Sequence, residues 1–175
     1  MVLTREELVS SLQNEVRILL HLAGKVDRAQ LDYRPSPGQR STLELLQYLT
    51  VMGPGLVAFI RAGVFDMARW QSLLSDASRL DFDESLAAIG NLIKRYPQII
   101  AEFSDDDLRS EVQMFHRTGS RGSILVNIVL GHQHSLPHAV VPLPQGMRAR
   151  GAGHGKSLGW RGRRRRGVIG RPSSA

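Results

Sequence analysis

The sequence predicts an all-α fold built from antiparallel helices, and three observations carry that prediction. Apolar residues recur at steps of three and four along most of the first 135 positions. Helix-start signals, an N-capping Ser, Thr or Asp with Glu three residues later, stand at the head of three of these stretches, at Thr4/Glu7, Ser41/Glu44 and Asp81/Glu84. Prolines and glycines fall mostly between the stretches. A chain of 175 residues is sized for one domain with a substantial core.

The first helix is expected from about Arg5 to Ala23, capped by Thr4. Leu8, Leu12, Val16, Leu19 and Ala23 form one buried stripe. Gly24 is expected to close it in a left-handed conformation. His21, in the last turn, suits the helix dipole and reads as a surface or boundary histidine.

The next stretch organises the rest. In Asp32–Gly53, Pro35 and Pro37 fix two φ angles and disfavour helix at Arg34 and Ser36, and Gly38 permits a turn. Ser41 and Glu44 then open a second helix with Leu43, Leu45, Leu46, Leu49 and Met52 at helical spacing. Gly53-Pro54-Gly55 is expected to interrupt it, with resumption over Leu56–Ala62 and a stop at Gly63.

The run Leu31-Asp32-Tyr33-Arg34-Pro35-Ser36-Pro37-Gly38, two residues, Ser41 and a helix resembles the DinB-like (YfiT-like) superfamily. The order of elements over roughly the first 135 residues fits that family as well. The resemblance implies a four-helix up-down-down-up bundle. It also implies a divalent metal held by three histidines, one from the second helix and two from the fourth. Some members act as thiol-dependent transferases or hydrolases, many have no assigned activity, and many pair as homodimers.

A shorter helix is expected over about Asp66–Ala77, with Met67, Trp70, Leu73 and Leu74 inward; Trp70 reads as core ahead of pocket lining. A long one should span about Glu84–Glu102, capped by Asp81, with a stripe of Leu86, Ile89, Ile93, Tyr96, Ile100 and Phe103 and a kink at Pro97. Ser104-Asp105-Asp106-Asp107 reads as a solvated helical turn, because consecutive acids lack the spacing and glycine of a calcium loop. Glu111–Phe115 reads as extended and 116–122 as a loop. The last helix begins near Ser123 with Ile124, Leu125, Ile128 and Val129 inside, His132 being a further candidate for that side.

After Ser135 the character of the chain changes. Pro137, Pro142 and Pro144 oppose helix, and residues 146–175 are mostly Gly, Arg, Ala and Ser. Residues 1–147 carry fourteen basic and sixteen acidic side chains, a net −2; residues 148–175 carry nine basic and none acidic, a net +9. The expected organisation is therefore a bundle at 1–138, its fourth helix truncated, and a disordered basic tail at 139–175 outside the fold. Two explanations of the tail stand, a functional arm or translation out of frame, and the second is favoured. A permissible set of codons for Leu136–His154, shifted by one nucleotide, spells an amphipathic helix end closed by glycine. Loss of that half-helix should leave a weakened bundle.

Several function classes are excluded or disfavoured. With no cysteine, disulfide frameworks and Cys-ligated zinc are ruled out. The N-terminus lacks the apolar run of a signal peptide, and no stretch has the eighteen or so consecutive apolar residues of a membrane span. The expectation is a cytoplasmic protein with no membrane partner. No Ser-His-Asp set, Gly-rich phosphate loop or carboxylate pair is identifiable. Asp32 and Glu44 read as loop anchor and cap.

On the resemblance, the second-helix histidine falls at Tyr48, a poorer ligand for zinc or nickel than imidazole. His132 and His134 are the candidate metal ligands, but two positions apart they face different sides of a helix. His138 lies four beyond His134, with Pro137 between them. The expectation is an incomplete metal site and no cofactor, with unassigned activity; the alternative is a Zn- or Ni-dependent hydrolase or thiol transferase. A third reading is nonspecific nucleic-acid binding through Arg161, Arg163, Arg164, Arg165 and Arg166, beside Trp160. The resemblance allows a homodimer, whose interface the truncated fourth helix would weaken.

Overall fold

The computed structural model describes residues 4–131. His132, His134, His138, the boundary at 138 and the arginine run lie outside the described residues. Those described are mostly helical, with one two-stranded sheet. Helix α1 (Arg5–Ala23) is followed by a 3-10 turn (Arg28–Gln30), α2 (Thr42–Ala62), α3 (Met67–Ala77) and α4 (Phe82–Ala101). A short α5 (Asp105–Arg109) leads to strands β1 (Glu111–Met114) and β2 (Arg117–Ser120). Helix α6 (Arg121–Ile124) then widens into a π-helical run, Leu125–Leu130.

The caps read from the sequence are in place. Thr4/Glu7, Ser41/Glu44 and Asp81/Glu84 each form a reciprocal box, and Ser104/Asp107 adds a fourth at α5. The proline loop goes further at α2. The N–H of Thr42 donates to the Tyr33 carbonyl (3.1 Å), that of Leu43 to Leu31 (3.0 Å) and that of Glu44 to Ser41 Oγ (3.2 Å). Three donors that a helix start leaves unpaired are thus satisfied by the chain just before it. Arg34 fixes the loop by forking onto Glu44 (2.5 and 2.6 Å) and donating to the Gln39 carbonyl (2.8 Å). That fork holds the Glu44 carboxyl below its ordinary range, aided by the Ser41 N–H.

The core lies where α4 packs on both α1 and α2, with α3 and the π-helical run against α2. Leu12, Val16, Leu46, Leu49, Met52, Ile60, Ile89, Tyr96 and Ile100 are among its most buried large side chains. Each aliphatic side chain of this kind contributes roughly 1.5–3 kcal/mol. Polar groups tie the layers: Gln13 Nε2 donates to the Ile93 carbonyl (2.8 Å), and buried Gln47 to the carbonyls of Leu80 (2.7 Å) and Ser78 (3.2 Å), just beyond α3. Helix α2 is long and apolar enough to cross a membrane by length and composition, with a mean hydropathy of 1.5, but 72% of that window is buried inside the protein.

Several expectations are corrected. Helix α2 is unbroken: Gly53, Pro54 and Gly55 all lie within it and are buried. Burial against neighbours outweighs the donor lost at Pro54. Gly24 adopts φ −64°, so the first helix ends in right-handed turns rather than a left-handed cap. Gly63 does take the left-handed conformation, φ 73°. Met67 is exposed, whereas Trp70, Leu73 and Leu74 are half-buried. Helix α4 begins at Phe82, and its buried face is rotated to include Phe82, Ser85 and Leu92, leaving Leu86 and Ile93 half-buried. The segment read as a loop after Phe115 is strand β2, and the last helix starts at Arg121 rather than Ser123.

Candidate functional site

The hairpin decides where the site forms. Val112 and Met114 are buried while Glu111 and Gln113 are exposed, the period-two pattern of a half-buried strand. Met114 pairs with Arg117, so only Phe115 and His116 form the turn. Both have positive φ, 51° and 62°. A two-residue turn of this geometry normally carries Asn-Gly or similar, because a side chain in the left-handed region costs about 1–2 kcal/mol. Here the strained turn sets the Phe115 ring against Phe65, centroids 5.1 Å apart, with Phe115 still 42% exposed. Strain of this kind is characteristic of functional sites.

Arg121 anchors the base of the hairpin. Its Nε donates to the Ile60 carbonyl in the last turn of α2 (3.1 Å), its Nη1 donates to Ser110 Oγ, and its backbone N–H donates to the Ser110 carbonyl (3.0 Å). Gly63 leaves room for it; a Cβ there would sit 3.4 Å from Nη2.

Between α2, α3, the hairpin and the π-helical run lies a cavity of about 390 Å³. Tyr48, Leu56, Phe65, Trp70, Phe115 and Ile128 are its apolar walls. Arg117 and Asn127 supply the polar ones, and the Asn127 amide nitrogen is held by the Ser123 carbonyl (2.8 Å). The rings meet at angles: Tyr48 and Trp70 are T-shaped at 6.1 Å, and Phe65 and Trp70 are tilted at 5.9 Å. Phe59, buried behind them, lies 4.7 Å from Phe65. Trp70 can approach α2 because position 55 is glycine; a Cβ there would be 3.1 Å from its Cζ3. Asn127 and Ile128 come from the π-helical run, a distortion that recurs at functional sites.

Tyr48 faces this cavity. Burial pushes its phenol above the ordinary tyrosine range, partly offset by the positive charge of Arg40. The Arg40 guanidinium lies 4.0 Å from the ring centroid. Phenol is a poorer ligand for zinc or nickel than imidazole, and here a guanidinium lies over its ring. Among the described residues no group of three or more His, Cys, Asp or Glu converges on one point. Compared with known proteins, the chain matches no family model and no curated sequence. Of the positions singled out in the sequence, Tyr48 and Trp70 are thus brought together. The second half of the cavity, Phe65, Phe115, Arg117, Asn127 and Ile128, is not marked as a site by any motif. The signal available is the alternation of Glu111–Met114, which marks the first strand of the hairpin.

Proposed function

We propose that this chain is a DinB-like four-helix bundle, formed by α1, α2, α4 and the helix that begins at Arg121, and that it binds a small organic molecule in the aromatic cavity without a metal. The observation that carries this reading is Tyr48. It stands where the resemblance expects a metal-binding histidine, and it lines an apolar cavity of a size suited to a small ligand. Packing of α4 on both α1 and α2, and of the last helix on α2, supports the bundle. The run of residues 31–38 supports it too, since the Leu31 and Tyr33 carbonyls cap α2 and Arg34 pairs with Glu44 in its first turn.

Two measurements on the full chain, prepared without a His-tag, test the reading. Elemental analysis after refeeding Zn²⁺ or Ni²⁺ should find less than stoichiometric metal, and small aromatic compounds should raise the melting temperature of the wild type but not of Trp70→Ala. Stoichiometric metal would replace this reading with that of a metal-dependent hydrolase or thiol transferase. Failure of every aromatic compound to stabilise the wild type would remove the binding function.

A further inference from the structure

The electrostatics of the cavity narrow its ligand. Among the described residues no acidic side chain lines it, and its charged wall is Arg117. Among those same residues Arg117 forms no ion pair, whereas Arg5, Arg28, Arg34, Arg61 and Arg109 each face a carboxylate. Arg40 lies over the Tyr48 ring but does not line the cavity. A cation beside low-dielectric aromatic walls attracts an anion, and a guanidinium fork matches a carboxylate. The tilted and edge-on rings suit a flat aromatic body, which meets their faces and edges. Strand pairing at the strained turn places Phe115 and Arg117 two residues apart on the same hairpin, so one element carries both an aromatic and a charged contact.

We infer that the ligand is a planar aromatic acid whose ring enters among Tyr48, Phe65, Trp70 and Phe115 and whose carboxylate pairs with Arg117. This rests on the cavity being a ligand site, and the test separates the two claims. The probes are 2-naphthoate and its uncharged counterpart 2-naphthamide. Binding is read by calorimetry on the full chain and by Trp70 fluorescence in Trp160→Phe, which leaves one of the two tryptophans. The basic tail attracts anions too, so measurements are made at about 0.15 M salt, where distant charges are screened, and the tail is held constant in every variant.

Arg117 is exposed, so naphthoate should bind about fivefold more tightly than naphthamide. Arg117→Gln should abolish that difference while leaving naphthamide within about twofold, which also shows that the cavity remains folded. Equal binding of the two probes by the wild type, or unchanged naphthoate affinity in Arg117→Gln, overturns the assignment of an acid but leaves the cavity as a ligand site. If neither probe binds and Trp70 fluorescence responds to neither, the cavity reading itself is overturned.

Discussion

Replacing Arg121 tests whether the site depends on one side chain that ties the hairpin to α2. In Arg121→Met the stem is kept and three side-chain nitrogens are lost. The Ile60 carbonyl loses a charged donor, although Gly63 N–H still reaches it at 3.3 Å, and Ser110 Oγ loses the Arg121 donor while still donating to the Asp107 carbonyl (2.6 Å). A hydrogen bond from a charged donor contributes about 1.5–3 kcal/mol, and favourable charge at a helix C-terminus about 0.3–1 kcal/mol. Because the Ile60 carbonyl keeps one partner and Arg121 is only half-buried, the lower part of that range applies. The expected loss is about 2 kcal/mol, or a melting temperature lower by roughly 4–8 °C. Arg121→Lys keeps the charge without the fork and should lose about 1 kcal/mol. Urea unfolding followed by helical circular dichroism gives these values, and a cycle with Ser110→Ala should show coupling of about 0.5–1 kcal/mol. If Arg121→Met lies within about 0.5 kcal/mol of the wild type, the hairpin is held by its apolar contacts and the anchoring argument fails.

Other expectations follow from the same geometry. His116→Gly should raise stability by about 1 kcal/mol by relieving a left-handed side chain; an unchanged or lower urea midpoint would mean the turn is not strained there. The folded Glu44 carboxyl titrates below its ordinary range, so its stabilisation is present above the unfolded carboxylate pKa and is lost as pH falls through the depressed folded value. Glu44→Gln should therefore show a shallower acid-side fall in melting temperature than the wild type, and parallel curves would contradict this. Tyr48 is shifted the other way: above an ordinary phenol's pKa the unfolded chain loses the proton first, so stability falls as pH rises toward the folded value. Tyr48→Phe should flatten that alkaline decline in a pH series of urea midpoints.

The helices are legible in the sequence because their signals are local. A capping residue and its glutamate are three positions apart, and the α1 stripe needs only its own spacing; both stand in the structure as the spacing predicts. Expectation and structure part where distant packing overrides local preference. Gly53-Pro54-Gly55 has every mark of a break, yet burial on all sides keeps α2 continuous. Met67 has helical spacing but lies on the exposed side of α3, since only contact with α2 decides which face is covered. The hairpin is half-legible: alternation at 111–114 reads as extended, but a Phe-His turn lacks the glycine or asparagine that announces one. The cavity is harder still. Its walls come from positions 48, 70, 115 and 128, and no spacing rule joins residues that far apart.

Gly55 shapes the chamber by having no side chain to offer. With only hydrogen at that position, the indole of Trp70 can lean against the spine of α2. A methyl group added there would meet the indole at 3.1 Å, so the ring would have to give way by a few tenths of an ångström. The calibre of the chamber is thus set by an atom group that is missing, and a single codon change at this position would retune it by shifting one wall, the Trp70 indole.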